Sequence, residues 1–232
     1  MPAPLTAVRV AGLAALTSIA SATIGLAILP IWDFPATGAT STALTAFLVD
    51  HRARLQLMML MYTLGVTLWL LFGTAAAAHL RQVVGRTDGN AALVRCFAAG
   101  ISGFVVLLLA GFTAFDVLVY RAPHVPDPGL LYDLGFGLLA MSGMPTALGL
   151  GAYALLVHRT GALPRPTIYL AAVTAAAHVV LLLSFIVPSG FFSLEGLVIA
   201  AIPALLWAWI VQAGLALLAV RPQRAAPELL NG

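Results

Sequence analysis

Residues 55–80 read LQLMMLMYTLGVTLWLLFGTAAAAHL and contain no Asp, Glu, Lys or Arg. A helix needs about 20 mostly apolar residues to cross the hydrocarbon core of a bilayer, so this stretch is long enough for a complete span. The nearest charged side chains lie just outside it, with Arg52 and Arg54 before it and Arg81 after it. The pattern predicts a transmembrane helix.

The composition of the whole chain agrees with this stretch. Of the 232 residues, 62% are hydrophobic and only 8% are charged, and the mean hydropathy is +1.04. Soluble domains carry roughly 25% charged residues, so a water-soluble fold is excluded. We predict an all-α polytopic membrane bundle that forms a single transmembrane domain over residues 1–232. Its six transmembrane helices are expected at residues 8–30, 55–80, 96–120, 130–157, 167–188 and 194–220.

The arginines predict the orientation of the bundle, because cytoplasmic loops of membrane proteins hold an excess of basic residues. With six spans, both termini lie on one side of the membrane, and most arginines fall on that side. We therefore predict cytoplasmic N- and C-termini in a bacterial plasma membrane. The arginines on the terminal side are Arg9, Arg81, Arg86, Arg95, Arg159, Arg165, Arg221 and Arg224, and those on the outer side are Arg52, Arg54 and Arg121.

Two prolines lie inside predicted spans, Pro145 in the fourth helix and Pro203 in the sixth. Proline has no N–H and removes a hydrogen bond to the carbonyl four residues earlier, so we predict a kink in each helix. Kinked helices four and six that splay outward would line an outward-facing vestibule. The alternative is that proline and glycine are simply common in membrane helices.

The composition also excludes several chemistries. All 11 basic residues are Arg, so no lysine amine is present for retinal, pyridoxal or other Schiff-base chemistry. The single cysteine, Cys96, cannot form an internal disulfide or a CxxC pair. The basic residues are scattered between apolar spans, so the expected partner is the lipid bilayer and not a nucleic acid. No cofactor and no metal site are predicted.

Three acids near the outer ends of helices are the predicted catalytic residues. Asp116 lies about one turn inside the end of helix three, Asp133 begins helix four, and Glu195 begins helix six. Carboxyl groups that share a half-dry pocket have pKa values that are pushed apart, which suits general acid/base catalysis. The alternatives are an ion pair with an outer arginine for Asp116 and favourable contact with a helix N-terminus for Asp133 and Glu195.

Residues predicted to contact a substrate lie around these acids and deeper in the bundle. His178 is the ionisable residue near mid-depth, where it would relay protons or remain a neutral imidazole bonded to a neighbouring helix. The aromatic residues Trp32, Tyr62, Trp69, Trp207 and Trp209 are interpreted as packing or as part of the membrane-interface belt. The predicted substrate-binding residues are His51, Tyr120, Tyr132, Met141 and His178.

Three segments carry a resemblance to a known family. They are residues 47–81, LYDLGF at residues 131–136, and residues 191–207, which begin FFSLEGL. Together they resemble an uncharacterised actinobacterial family of six-helix integral membrane proteins. In that family helix two begins with the sequence acid–His–Arg, helix four begins with an acid, and helix six contains a proline. The corresponding residues are Asp50, His51, Arg52, Asp133 and Pro203. The resemblance implies the six-helix architecture and no particular reaction.

The sequence leaves three functions open. The first is a cofactor-independent acid/base enzyme, of the lyase, isomerase or cyclase type, that acts on a lipophilic isoprenoid-like or lipid substrate in the acid-lined vestibule. The second is a carrier or binding protein for a small molecule that uses the same vestibule without catalysis. The third is a helper subunit of a membrane complex that docks a membrane protein partner.

Overall fold

The protein is described by a computed structural model that covers residues 5–36, 38–84, 88–122 and 124–220. Within these ranges the chain forms eight α-helices and two short 3₁₀ segments, and no strand. The 3₁₀ segments are Ile31–Asp33 and Leu181–Phe185. The helices are α1 (Leu5–Ile28), α2 (Ser41–Asp50), α3 (Arg52–Val83), α4 (Asp88–Arg121), α5 (Pro128–Met141), α6 (Gly143–Thr160), α7 (Arg165–Val180) and α8 (Val198–Leu218).

Six helical segments are long and apolar enough to cross a membrane, which confirms the predicted all-α, six-span architecture. The spans are α1 with its following 3₁₀ turn, α3, α4, α5 together with α6, α7 with its following 3₁₀ turn, and α8. The remaining helix, α2, is a short connecting helix that packs against α3 and α5. The chain is therefore a multi-pass membrane protein.

The six spans form a closed ring. Each span packs against the spans before and after it in the sequence, and α8 packs against α1. Neighbouring spans run antiparallel because every connection joins adjacent ends. We call the end where α1, α4 and α7 finish the long-loop side, since it holds the connections 29–51 and 186–197. The opposite end, where α1 begins and α8 ends, is the terminal side.

The sixth span begins later than predicted. The sequence suggested a start at residue 194, but α8 begins at Val198 because the preceding residues form tight turns. The Ser193 N–H donates to the Gly190 carbonyl at 3.1 Å, and the Val198 N–H donates to the Phe191 carbonyl at 3.1 Å. Gly190 has φ +84, a left-handed conformation that favours glycine. The connection before α8 is thus a folded loop.

The fourth span is interrupted at Ser142, three residues before the proline that was expected to kink it. Pro145 instead occupies the first turn of α6, where its missing N–H would have no helical partner in any case. A Cβ on Gly143 would meet the carbonyl oxygen of His178, so α6 starts in close contact with α7. Pro203 lies inside the continuous helix α8, and the kink there stays a prediction.

The cytoplasmic position of the termini also stays a prediction, since the fold is compatible with either orientation. Three of the arginines that support it, Arg86, Arg221 and Arg224, lie outside the described residues.

The centre of the ring is filled on its terminal side by four aromatic side chains, which we call the aromatic plug. Trp209 of α8 contacts Phe72 of α3, Phe97 of α4 and Tyr153 of α6, with ring centroids 5.7, 6.3 and 5.1 Å away. All four side chains are at most 1% exposed. The Tyr153 hydroxyl donates to the Thr167 hydroxyl at 2.9 Å and thereby links α6 to α7.

Candidate functional site

A cavity of about 450 Å³ occupies the centre of the ring on the long-loop side of the aromatic plug. All six spans contribute to its wall, and the wall is almost entirely apolar. Its volume lies within the range of sites that hold a small organic molecule. The wall residues include Leu26, Val66, Phe104, Leu108, Phe112, Leu139, Leu206 and Trp207.

The aromatic plug forms the floor of the cavity. On α3, the wall residue Trp69 is one turn nearer the long-loop side than Phe72. On α8, the wall residue Leu206 is likewise one turn nearer that side than Trp209. The cavity is therefore blocked toward the terminal side by fully buried rings.

The cavity extends between α1 and α8. Ala200, Trp207 and Gly214 are spaced by seven residues and so share one face of α8. At Gly214 this face contacts α1, because a Cβ there would meet the side chain of Ala15. Nearer the long-loop side, Ala200 and Trp207 line the cavity together with Leu26 of α1. We call this region, defined by Leu26, Ala200 and Trp207, the side opening.

The position of α1 explains the side opening. In its second half α1 is held to α3, because the Ser21 hydroxyl donates to the Met61 carbonyl at 2.7 Å. Gly25 of the same half lies against Met58 of α3. Helix α1 thus packs on α8 near the terminal side and on α3 near the long-loop side, and beyond its α8 contact Leu26 of α1 and Trp207 of α8 both border the cavity.

His178 is the one predicted site residue that lines the cavity. Its side chain is 1% exposed, and its Nδ1 lies 2.8 Å from the Thr174 carbonyl oxygen. A carbonyl can only accept a hydrogen bond, so Nδ1 carries the proton. A charged imidazole at this depth in an apolar span is costly, so the neutral ring presents Nε2 as an acceptor.

Other polar groups of the wall come from two spans. Ser142 sits at the break in the fourth span, and its hydroxyl donates to the Leu139 carbonyl at 2.6 Å. Tyr62 of α3 brings a phenolic hydroxyl to the wall. Trp69 also lines the cavity, and among the described residues its indole N–H has no hydrogen-bond partner. The wall thus combines a large apolar area with a few hydrogen-bonding atoms.

Two of the three predicted catalytic acids come together outside the cavity. Asp133 of α5 hydrogen-bonds the side chain of Glu195, which lies in the loop before α8. Burial, and then the charge and hydrogen bond of Asp133, raise the pKa of Glu195 to about 7. Asp116 is exposed on α4 and has no part in this pair.

Both members of the pair are placed differently from the sequence prediction. The residue that caps the start of α5 is Asp127, whose carboxylate accepts the Gly129 N–H at 3.1 Å, whereas Asp133 lies in the second turn. Glu195 precedes the first residue of α8 by three positions. Helix capping, which was the alternative role for Asp133 and Glu195, is therefore performed by Asp127 in the case of α5.

Tyr132 and His51 make structural contacts on the long-loop side. Tyr132 is 2% exposed, and its hydroxyl donates to the Pro35 carbonyl at 2.7 Å. His51 lies between α2 and α3, stacks on Phe47 with ring centroids 4.7 Å apart, and bonds the Phe47 carbonyl through Nδ1. The Tyr132 bond holds the 29–51 connection against α5, whereas the His51 contacts lie within that connection.

The remaining two predicted substrate contacts are exposed. Tyr120, near the end of α4, is 70% exposed, and Met141, the last residue of α5, is 44% exposed. Neither of them lines the cavity. Their role in substrate binding stays a prediction.

The sequence interpretation missed the aromatic part of the cavity wall. Tyr62, Trp69 and Trp207 were interpreted as packing or interface residues, yet all three line the cavity. A signal was present, because Tyr62 and Trp69 are seven residues apart and so share one face of α3. That spacing alone does not distinguish a packed aromatic face from one that borders empty space.

Across the residues that the structure describes, no three His, Cys, Asp or Glu side chains are grouped as a metal site would require. Comparison with protein-family models, with curated proteins and with solved structures gave no match. The resemblance to an actinobacterial six-helix family therefore remains an expectation drawn from the sequence.

Proposed function

We propose that this membrane protein binds one lipophilic small molecule in the cavity between the aromatic plug and the long-loop side. The observation that carries the proposal is the cavity itself, about 450 Å³ of space with an almost wholly apolar wall. Close packing leaves few voids larger than a water molecule in protein interiors. A cavity of this size in the middle of a membrane bundle is best explained by an apolar occupant.

The shape of the cavity favours binding over transport. Buried aromatic rings block the path toward the terminal side, and the side opening at Leu26, Ala200 and Trp207 faces the region that lipid chains would occupy. A lipid-dissolved molecule would enter and leave by the same side opening. Among the functions left open by the sequence, the geometry supports the small-molecule binding protein best.

The test uses a matched pair of substitutions on α8. Ala204 and Ala208 are both exposed and lie one turn apart on α8, but Ala204 lines the cavity and Ala208 does not. We expect native mass spectrometry of the purified protein with farnesyl methyl ether to reveal a one-to-one adduct. Ala204→Phe should abolish the adduct because its ring fills the cavity, and Ala208→Phe should retain it. No adduct with the wild type, or an undiminished adduct with Ala204→Phe, would refute the proposal.

The carboxyl pair supports a second candidate, acid/base catalysis on a lipophilic substrate. Two hydrogen-bonded carboxyls, one with a pKa near neutrality, can donate and accept protons at physiological pH. The loop that carries Glu195 also contributes Phe191 and Leu197 to the cavity wall. A substrate that extends from the cavity toward this loop would bring its reacting atoms near the pair.

This candidate is tested by product analysis. Incubation of the protein with isoprenoid alcohols and their esters should yield a chemically altered product, and Glu195→Gln should abolish the conversion. The exposed-site variant Asp116→Asn serves as the comparison, and it separates a reaction at the carboxyl pair from one that needs all three acids. Recovery of every substrate unchanged from the wild type would leave ligand binding as the supported function.

A further inference from the structure

We infer that the molecule held in the cavity is a neutral lipophilic alcohol whose hydroxyl donates a hydrogen bond to Nε2 of His178. The inference rests on the proposed binding function and assigns the chemical class of the ligand. It follows from the tautomer of one buried imidazole, from the surroundings of that ring, and from the direction of the side opening.

The tautomer of the His178 imidazole is fixed by its hydrogen bond. Its Nδ1 donates to the Thr174 carbonyl at 2.8 Å, which leaves Nε2 as the ring nitrogen with a lone pair. The side chain is 1% exposed and borders the cavity, and within the described chain no protein group donates to Nε2. A ligand hydroxyl that donates to this lone pair adds one hydrogen bond and so gains affinity.

The position of the ring is also fixed. Gly143 allows α6 to approach the backbone of His178 so closely that a Cβ at 143 would meet the His178 carbonyl oxygen. The break in the fourth span therefore lies beside His178, and Ser142 borders the same part of the cavity. Because the Ser142 hydroxyl proton is already used on the Leu139 carbonyl, this serine presents a further acceptor and no free donor.

The acceptors at this end of the cavity discriminate between ligand classes. A carboxylate or phosphate would set its lone pairs against Nε2 and would lose its own hydration in an apolar wall. A hydrocarbon or an ether would leave Nε2 without a donor. A hydroxyl supplies the donor and carries no charge, so an alcohol matches the site.

The apolar remainder of the ligand has one direction in which to extend. The aromatic plug closes the cavity toward the terminal side, and the side opening at Leu26, Ala200 and Trp207 leads away between α1 and α8. Tyr62, on the span across the ring from His178, brings its hydroxyl to the opposite wall. The ligand would place its hydroxyl at His178 and its chain toward the lipid.

The test compares farnesol with farnesyl methyl ether, which differ by the hydroxyl proton and one methyl group. One added hydrogen bond corresponds to an affinity ratio of roughly 3- to 10-fold in favour of farnesol in the wild type. His178→Leu should reduce the ratio to about one while retaining the ether. The retained ether binding shows that this variant is folded. His178→Gln keeps an acceptor oxygen and should preserve part of the preference, and Tyr62→Phe should preserve all of it.

Each alternative outcome has a definite meaning. Equal binding of the two ligands by the wild type would overturn the alcohol assignment and leave the binding function intact. A preference that survives in His178→Leu and disappears in Tyr62→Phe would also overturn it, because Tyr62 would then hold the hydroxyl. Binding of neither ligand by the wild type would refute the proposed function and, with it, this inference.

Discussion

The two halves of the ring are built from the same helices but differ in what lies at the centre. On the terminal side, Trp209 and its aromatic neighbours are fully buried, and Gly100 and Gly149 bring α4 and α6 into backbone contact. On the long-loop side, the same spans surround a cavity of about 450 Å³. Helix association in a bilayer depends on close packing of small residues. The terminal half is therefore closed at its centre, whereas the long-loop half combines close helix contacts, such as Gly111 against α5, with a space that can hold a ligand.

The largest loss of unfolding free energy is expected from Trp209→Ala in the aromatic plug. Loss of a fully buried aromatic side chain costs about 3–5 kcal/mol of unfolding free energy, and here it would also join the cavity to the terminal half. Unfolding in mixed micelles, followed by circular dichroism, measures the loss. Trp32→Ala is the control, because Trp32 is 59% exposed, and it should change stability far less. Similar losses in both variants would contradict the division into two halves.

A smaller loss of unfolding free energy is expected from Gly100→Ala at the contact between α4 and α6. The new Cβ would meet backbone atoms of Gly149 and the Pro145 carbonyl, which cannot move aside as a flexible side chain would. Overpacking of this kind costs about 1–3 kcal/mol. Gly151→Ala on the same helix as Gly149 meets no atom within 4 Å and should leave stability unchanged or slightly raised. The same denaturation assay applies, and equal effects at the two positions would disprove tight packing at Gly100.

A gain in unfolding free energy is expected when a small residue of the cavity wall is replaced by a larger one. Ala200→Leu adds apolar atoms to the side opening, where space is available, and should raise the stability of the ligand-free protein by up to about 1 kcal/mol. It should also weaken farnesol binding, which native mass spectrometry measures. A destabilisation as large as that of Gly100→Ala would show that the long-loop half is packed as tightly as the terminal half.

The smallest effect concerns the pH dependence of stability through Glu195. Its pKa is raised from 4.5 to about 7 in the folded protein, so the folded state keeps this proton to higher pH than the unfolded state. Stability should therefore fall as pH rises from about 4.5 to about 7, by on the order of 1 kcal/mol or less because the side chain is only half-buried. Thermal unfolding in detergent across this range measures the fall.

Two variants check the assignment of that pH dependence. Glu195→Gln should flatten the profile, because the titrating group is gone. Asp133→Asn should shift the fall to lower pH without abolishing it, because burial, not the Asp133 charge, is the larger cause of the raised pKa. A profile that is identical in the wild type and Glu195→Gln would assign the dependence to another group.

Much of the architecture could be predicted because hydropathy acts locally. The apolar stretch at residues 55–80 lies within α3, Arg52–Val83, and the other five predicted stretches each correspond to one span. The ends were less predictable. The start of α8 at Val198 depends on turns around Gly190, and the break at Ser142 depends on contact between Gly143 and α7. Those are interactions between segments that hydropathy does not describe.

The candidate site was predicted less well, for a related reason. In an apolar sequence the charged and titratable residues are the obvious candidates for a site, and the predicted site residues therefore included Asp133, Glu195 and His178. The structure pairs the two acids and places only His178 at the cavity. The cavity wall consists mainly of leucine, phenylalanine and tryptophan, which look the same in a sequence whether they pack against a neighbour or border empty space.

Six spans follow from hydropathy alone, because the need to bury about 20 consecutive residues in hydrocarbon is satisfied segment by segment. Where the spans touch and where they part depends instead on contacts between helices. Gly12 and Gly214 join α1 to α8 near the terminal side, and Gly25 joins α1 to α3 near the long-loop side. A void is a property of how several helices are arranged, so no single stretch of sequence contains it.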